Sequence, residues 1–379
     1  MTPPDCIPID PALRPATAHP LASLMAANIQ TAGGWIGFDD FMAHALYTPH
    51  WGYYAGGATV FGTLPGAPGV PGSDFVTAPE MSPLFGQALA RQVAQALQVT
   101  GTDEIWEFGA GTGVMALQIL DALQVMGVKT ARYTIVDLSQ PLIARQKITL
   151  EAHANTVHWA DALPAQMRGV VLGNEVLDAM PVKLLVRTDG VWHERGVTWG
   201  PLFSWRDLPT ALRPPREIEG VHDYLTEIHP QGESFVRTLA DRLQAGAVFL
   251  IDYGFPEAEY YHPQRHMGTV MCHRAHQADA DPLQDVGLKD ITAHVNFTAI
   301  AVAAQDAGLE VLGYTNQAHF LMNCGLVEVM QQSDLPLRIA AQLLILEHEM
   351  GELFKVIGLT KGPVWDAMGF AKGDKTHRL

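Results

Sequence analysis

Glu107-Phe108-Gly109-Ala110-Gly111-Thr112-Gly113 decides how the rest of the chain is read. It follows a short apolar run, Glu104-Ile-Trp-Glu-Phe108, and precedes a helical pattern over 114–126. Glycines between a strand and a helix let the backbone turn tightly and approach a ligand, and the helix N-terminus beyond them offers unpaired N–H groups. Two cofactor classes use such a loop. The dinucleotide fingerprint G-x-G-x-x-G would need glycine at 114, where Val114 stands. The spacing here is G-x-G-x-G with Glu107 two residues ahead of the first glycine, the pattern of loops that hold S-adenosylmethionine (SAM). Charge points the same way. A carboxylate attracts the sulfonium and ammonium of SAM and repels a pyrophosphate. The competing reading is a plain strand–helix turn with no ligand.

Working outward, strands are expected over 133–136, 156–159, 170–172 and 248–251, with helices near 141–152 and 232–243. Short apolar strands alternating with helices imply a parallel sheet covered on both faces, a doubly wound, Rossmann-like α/β fold. Upstream, Thr77-Ala-Pro-Glu80 fits a capping box, with Thr77 as N-cap and Glu80 three residues on, opening a helix that runs to about Gln98. The chain then divides into four stretches. Residues 1–27, rich in proline, read as a flexible tail, and 28–73 as N-terminal helices followed by a Gly/Pro loop. Residues 74–255 form the core, with a β-hairpin insertion over about 183–230 that turns at Thr188-Asp-Gly190. Residues 256–379 form a C-terminal substrate or partner region: a strand over 269–271, a helix over 298–307, a strand over 309–314 and a long closing helix.

The acids fall at strand ends, where ligands bind in open α/β sheets. Asp137, in Ile135-Val-Asp-Leu-Ser139, is placed to accept ribose hydroxyls, and serves equally well to cap the helix entered through Ser139. Asp161, in Trp159-Ala-Asp-Ala162, is placed to accept an adenine amino group, with a solvated turn aspartate as the alternative. Asn174, Glu175 and Asp178 put an amide and two carboxylates within one turn at the tip of the fourth strand. They suit a guanidinium or amine acceptor, holding its donor fork; the plainer reading is an N-cap by Asp178 with Glu175 in solvent. Asp252 and Tyr253, at the end of the fifth strand, either position the acceptor or close the strand.

Composition narrows the partners. Of 379 residues, 48% are hydrophobic and 17% charged, and Lys+Arg 24 against Asp+Glu 40 gives a net charge of −16. Such a chain repels phosphate backbones, so no nucleic-acid partner is expected, and a basic molecule or basic protein segment fits better. The low charged fraction points to a partner surface or a homo-oligomer. No apolar run approaches the ~18 residues of a membrane span, so a soluble, cytoplasmic protein without a membrane partner is expected. Cys6, Cys272 and Cys324 are too few and scattered for a disulfide framework. His262, His266, Cys272, His273 and His276 match no zinc spacing; no metal is expected, and these residues are placed along the acceptor pocket or a partner surface. Trp51, Tyr53 and Tyr54 are read as core packing rather than a substrate stack.

With these residues assembled, the chain resembles the MidA (DUF185) family of SAM-dependent methyltransferases, from about residue 36 to residue 326. Besides the glycine loop, the resemblance is carried by Asp74-Phe-Val-Thr-Ala-Pro-Glu-Met-Ser-Pro-Leu-Phe-Gly86, Asn174-Glu-Val-Leu-Asp-Ala-Met-Pro181, Ile251-Asp-Tyr-Gly254, Asp290-Ile-Thr-Ala-His-Val-Asn-Phe297 and His319-Phe-Leu-Met-Asn-Cys-Gly325. It implies a class I methyltransferase fold with N-terminal helical and C-terminal α+β additions. It also implies methylation of an arginine in a protein substrate, which in mitochondrial members is a respiratory complex I subunit. The resemblance places Thr77, Pro79 and Glu80 at the cofactor, together with Glu107, Gly109, Ala110, Gly111, Thr112 and Gly113. Asp137 with Leu138, Asp161 with Ala162, and Asn174 complete that set; Glu175, Asp178, Asn174, Asp252 and Tyr253 form the catalytic set. Asp137 stands where glutamate is common and Asn296 where aspartate is common. Two other functions remain open, a small-metabolite methyltransferase and a non-catalytic assembly factor that keeps the fold. The intact loop and acid turn argue against the latter, and the long C-terminal additions favour a protein over a metabolite.

Overall fold

The structure is a computed structural model and describes residues 20–56, 77–274 and 277–379. It opens with α1 (Pro20–Thr31), the two-residue β1 (Ile36–Gly37) and α2 (Phe38–Tyr47). Helix therefore begins inside the stretch whose prolines suggest a flexible tail. Pro20 is compatible with a first helical position, and Leu21, Met25 and Ile29 recur at helical spacing and are buried. The Gly/Pro loop from residue 57 onward, the start of the motif at Asp74, Cys6 and His276 lie outside the described residues.

The expected capping box does not form. Thr77 precedes only one turn, α3 (Ala78–Met81), and its side chain makes no cap bond. Pro83 disfavours helical geometry at the residue before it, so Ser82 is extended and caps the true helix, α4 (Pro83–Thr100), accepting from the Leu84 N–H. Glu80 instead accepts a hydrogen bond from the Thr112 hydroxyl in the glycine loop.

The core is β2 (Glu104–Phe108), α5 (Val114–Val125), β3 (Arg132–Val136), α6 (Gln140–Thr149), β4 (Val157–Ala160) and β5 (Met167–Asn174). The insertion is an antiparallel sheet of β6 (Lys183–Thr188), β7 (Val191–Trp199), β8 (Phe203–Pro209) and β9 (Tyr224–Ile228), joined by β1. The chain returns to the core through α7 (Pro230–Arg242) and β10 (Leu243–Phe255), then α8 (Glu257–Tyr260). A small sheet of β11 (Met271–Arg274), β12 (Gln277–Asp279) and β13 (Asp290–Thr292) follows, then β14 (Val295–Asn296), α9 (Phe297–Asp306) and β15 (Glu310–Asn316).

The long closing helix is not there. Residues 317–343 form three short helices, α10 (Gln317–Asn323), α11 (Leu326–Gln332) and α12 (Leu335–Leu343), and β16 (Phe354–Lys361) then enters the sheet. Gly325, at a φ of 81°, breaks the first junction, and Asp334 caps a new helix at the second. β16 runs antiparallel between β10 and β15. Its run is buried on both faces, so it lacks the alternation that would mark a strand in sequence.

The central sheet has the order β15-β16-β10-β5-β2-β3-β4, with the β4-to-β10 part parallel. Period two sorts its side chains. Ile105, Val170, Leu172, Phe249 and Ile251 join the core beneath α4 and α5, while Trp106, Phe108, Val171, Val248 and Leu250 join the one beneath α7 and α9. Chain direction across the sheet reverses between β2 and β5, so the loops leaving those strands diverge and open a crevice. Phe38, Phe41 and Met42 of α2 pack with Leu184 and Val197 of the insertion and Ile291 of β13, fixing one wall of that crevice.

Candidate active site

A cavity of about 1610 Å³ opens at the carboxyl ends of β2 and β5. That exceeds the ~300–1,000 Å³ usual for one small ligand and leaves room for a cofactor and an acceptor together. One half is the glycine loop. Gly109, Gly111 and Gly113 have φ of 62°, 53° and 83°, a region costly for residues with a Cβ. Gly109, Ala110, Gly111 and Thr112 line the cavity, as do Thr77, Pro79 and Glu80. Gly113 does not; it caps α5 and packs on Gln146 and Leu150.

Glu107 lines the cavity and accepts from the Tyr133 hydroxyl at 2.6 Å. Burial pushes its carboxyl up to about 7, against the lowering effect of that bond. Asp137 and Leu138 also line it. Asp137 takes both of its expected roles in part: it faces the cavity while accepting from the Ser139 N–H at the start of α6 at 2.8 Å. Its other oxygen accepts from Gln146 Nε2 at 2.7 Å. That amide also donates to the Gly111 carbonyl, at 3.0 Å, and its Oε1 accepts from the Trp159 indole at 2.9 Å. Fully buried Gln146 thus ties together the loop, Asp137 and β4. Nothing in the sequence singles it out, because its partners come from three separate segments. Asp161 and Ala162 are exposed in the turn after β4 and are not among the cavity's lining residues, contrary to the expected adenine contact.

The other half is acidic and aromatic. Asn174, Glu175 and Asp178 line it, and Asn174 and Asp178 are buried. No helix starts at Asp178, so the N-cap reading does not hold, and Glu175 is not in solvent. Glu175 has a φ of 54°, rare for a residue with a side chain and a mark of functional strain. Asp252 explains how the turn is held. Its Oδ2 accepts from the N–H groups of Val176, Leu177 and Asp178 at 3.2, 2.9 and 3.3 Å, and Oδ1 accepts from the Tyr253 N–H at 3.0 Å. Asp252 is therefore a brace beneath the turn and is absent from the cavity lining, whereas Tyr253 lines the cavity.

Asn174 Nδ2 donates to Glu175 Oε1 at 2.9 Å. Among the described residues, buried Asn174 Oδ1 and Asp178 Oδ1 have no donor. Burial, reinforced by the Asp178 charge, pushes Glu175 up to about 8. Burial also pushes Asp178 up to about 6, with the Tyr253 hydroxyl pulling the other way. Carboxylates so disposed fit a cation with several N–H donors.

Sequence reading misses the rest of this wall. Tyr47 donates to the Ala179 carbonyl at 2.7 Å, Tyr54 donates to Asp290 at 2.8 Å, and Thr292 and His294 complete the lining. Of the aromatic trio, Tyr53 is in the core as expected, but Tyr54 faces the cavity and Trp51 is 42% exposed. Among the described members of the His/Cys cluster only His273 lines the cavity, while Cys272 is buried in the core with α1 and α2. Among the described residues no three His, Cys, Asp or Glu side chains gather as metal ligands. Nor is any described helix long and apolar enough to cross a membrane.

A family model for S-adenosyl-L-methionine-dependent methyltransferases, Methyltransf_28, matches residues 88–315. Among solved structures, a COG1565 superfamily member from Burkholderia thailandensis bound to S-adenosyl-homocysteine is 47% identical. The match covers 99% of this chain and 100% of that one, with a TM-score of 0.91. The mitochondrial protein arginine methyltransferases NDUFAF7 of Danio rerio and Homo sapiens are each 27% identical. Those matches cover 86% and 84% of this chain and 83% and 75% of theirs. The parallel sheet with one inserted antiparallel strand, and a glycine loop beside a cavity large enough for cofactor and acceptor, define a class I SAM-dependent methyltransferase. The chain belongs to the MidA (DUF185) family of these enzymes, and its cofactor is SAM. The site fits that cation: Glu107 and Asp137 supply anionic oxygens and the loop presents its backbone without side chains at Gly109 and Gly111.

Proposed function

We propose that this protein methylates the guanidinium of an arginine side chain in a protein substrate. The observation that carries the reading is the turn Asn174–Asp178. Two carboxylates and an amide oxygen, two of these groups holding buried acceptor atoms without donors, open into the cavity that the glycine loop shares. The names of the NDUFAF7 relatives support it.

Bound SAM supplies a methyl group activated by a positively charged sulfur. Arginine is a poor nucleophile because its guanidinium stays protonated. Glu175 and Asp178 grip it by charge-assisted hydrogen bonds, draw the positive charge toward the nitrogens they touch, and leave the remaining nitrogen aligned with the methyl. The methylated guanidinium must shed one proton as the sulfur leaves neutral. The Glu175 carboxylate, pushed up to about 8, is matched to receive one near neutral pH from the edge it holds.

The test incubates the full chain with tritiated SAM and candidate proteins, a respiratory complex I subunit first, followed by mass spectrometry of the labelled residue. Methylarginine that disappears with Glu175→Gln supports the reading. Label on lysine, on glutamine or only on small molecules overturns it.

A further inference from the structure

Among the described residues lining the cavity, Arg265 is the only Lys or Arg, against acids that include Glu107, Asp137, Glu175 and Asp178. Its guanidinium lies over the Phe255 ring, with Cζ 3.8 Å from the ring centroid. Contact at that distance uses the flat face of the cation and leaves its N–H edges unspent. Among the described residues no carboxylate or carbonyl takes those edges up, and the side chain is exposed. The acids on neighbouring segments are committed elsewhere. Glu227 accepts from the Thr269 and Val270 N–H groups at 2.7 and 3.2 Å, and Glu259 is paired with Arg378. Glu349 lines the cavity too and forms no ion pair with Arg265.

Arg265 is offered from a fixed backbone. Its N–H donates to the His262 carbonyl at 2.8 Å, the His266 carbonyl accepts from the Leu225 N–H at 2.9 Å, and Glu227 holds the chain again at Thr269. A second cation stands near the same ring. Lys355 Nζ is 5.9 Å from the Phe255 centroid, and its side chain is only 7% exposed. Lys355 shares the single carboxylate of Glu352 with Lys375, at 3.7 and 3.2 Å, so positive charge remains in excess there. His294 lines the cavity and packs on Phe255 with ring centroids 5.4 Å apart. Burial first, then the charges of Arg265 and Lys355, push its imidazole down to about 4. One edge of the acceptor wall is thus electropositive in a chain whose net charge is −16.

The acid turn and this edge present opposite charges to one acceptor segment. A segment that is merely basic gains at the turn and is repelled at Arg265. One that carries a carboxylate near its target arginine gains at both. An arginine fork held on an aromatic ring matches a carboxylate through two parallel N–H···O bonds. We propose that Arg265 binds the side-chain carboxylate of an Asp or Glu near the methylated arginine, so that the substrate class is a protein segment carrying both charges. This rests on the arginine reading and adds a sequence requirement to it. SAM carries a carboxylate of its own, and the test separates the two.

The test measures binding of glycine–alanine peptides to the full chain saturated with S-adenosyl-homocysteine, by calorimetry or ligand-observed NMR. Each peptide is acetylated and amidated and holds one arginine, with Glu, Gln or Lys placed in turn at each nearby position on either side. At one position or more, Glu should bind roughly fivefold tighter than Gln, and Lys weaker than either. Arg265→Met should erase the difference between Glu and Gln, with S-adenosyl-homocysteine affinity and Tm unchanged. Arg265→Lys keeps the charge without the fork and should keep part of the difference. Arg265→Glu should reverse the order and favour Lys at the same position. Equal binding of the Glu and Gln peptides at every position, or a preference for Glu that survives Arg265→Met and Arg265→Glu, overturns the role of Arg265 and leaves the arginine reading standing. Loss of S-adenosyl-homocysteine affinity in Arg265→Met at an unchanged Tm assigns the residue to the cofactor carboxylate and overturns it as well. If Arg265→Met melts lower, Arg265→Lys and the reversal in Arg265→Glu decide. An unsubstituted protein that binds S-adenosyl-homocysteine but none of the arginine peptides overturns both readings.

Discussion

Glu175, central to the proposed reaction, combines a left-handed backbone with a raised carboxyl. Glu175→Gln keeps the shape and the Asn174 contact but removes the charge and the proton acceptor. It should leave SAM affinity within about twofold, a surface-like change, and lower kcat by about 10² or more, the usual cost of one electrostatic group. Single-turnover kinetics beside calorimetric titration separates the two. Because Asp178 and Glu175 are pushed up to about 6 and 8, the proposed guanidinium acceptor would meet neutral carboxyls in acid and charged ones above those values. The profile of kcat/KM for the acceptor should therefore rise with pH across 6–8, and a flat profile there contradicts the role of both acids. On the cofactor side, Gly111 sits at a φ of 53° facing the cavity. Gly111→Val adds a β-branched side chain in that left-handed region and should weaken SAM by about 10²; retained affinity would misplace the loop.

At the scale of elements, most of what positions the site is a cross-link between segments. Gln146 ties α6 to the glycine loop, to Asp137 and to Trp159. Gln146→Leu is nearly isosteric and leaves these buried partners without it. It should cost about 2–4 kcal/mol of stability and weaken SAM in parallel, read by denaturant titration and calorimetry. Asp252 plays the same part for the acid turn. Elements with local signatures were legible: β2, the glycine turn, α5 and the β6–β7 hairpin at Asp189-Gly190 follow from residues a few positions apart. The capping box was misread because Pro83 and Ser82 start a better helix, which frees Glu80 for Thr112. β16 was hidden because an apolar run buried on two faces has neither the period of a helix nor that of a surface strand.

At the scale of the whole molecule, several acids share one cavity, and burial raises three of them clearly. Glu107, Glu175 and Asp178 bind protons more tightly folded, at about 7, 8 and 6, than unfolded, at 4.5, 4.5 and 3.8. Their contribution to stability is complete below the unfolded values and is lost as pH rises through the folded ones. The Tm of the cofactor-free protein should fall between about pH 5 and 8, and cationic SAM should raise it most at the upper end. A Tm that climbs over that window would contradict the burial of these groups. By itself the sequence determined the fold class, the cofactor loop and the acidic turn, because each rests on short-range chemistry: glycines that permit left-handed backbone, apolar runs that must be buried, carboxylates grouped within one turn. Only the tertiary structure decided which acids face the cavity and which brace it. Asp252 turned inward beneath Val176–Asp178, Asp161 stayed outside, and Asp290 arrived from more than a hundred residues away, because a side chain's role depends on which distant backbone groups reach its oxygens first.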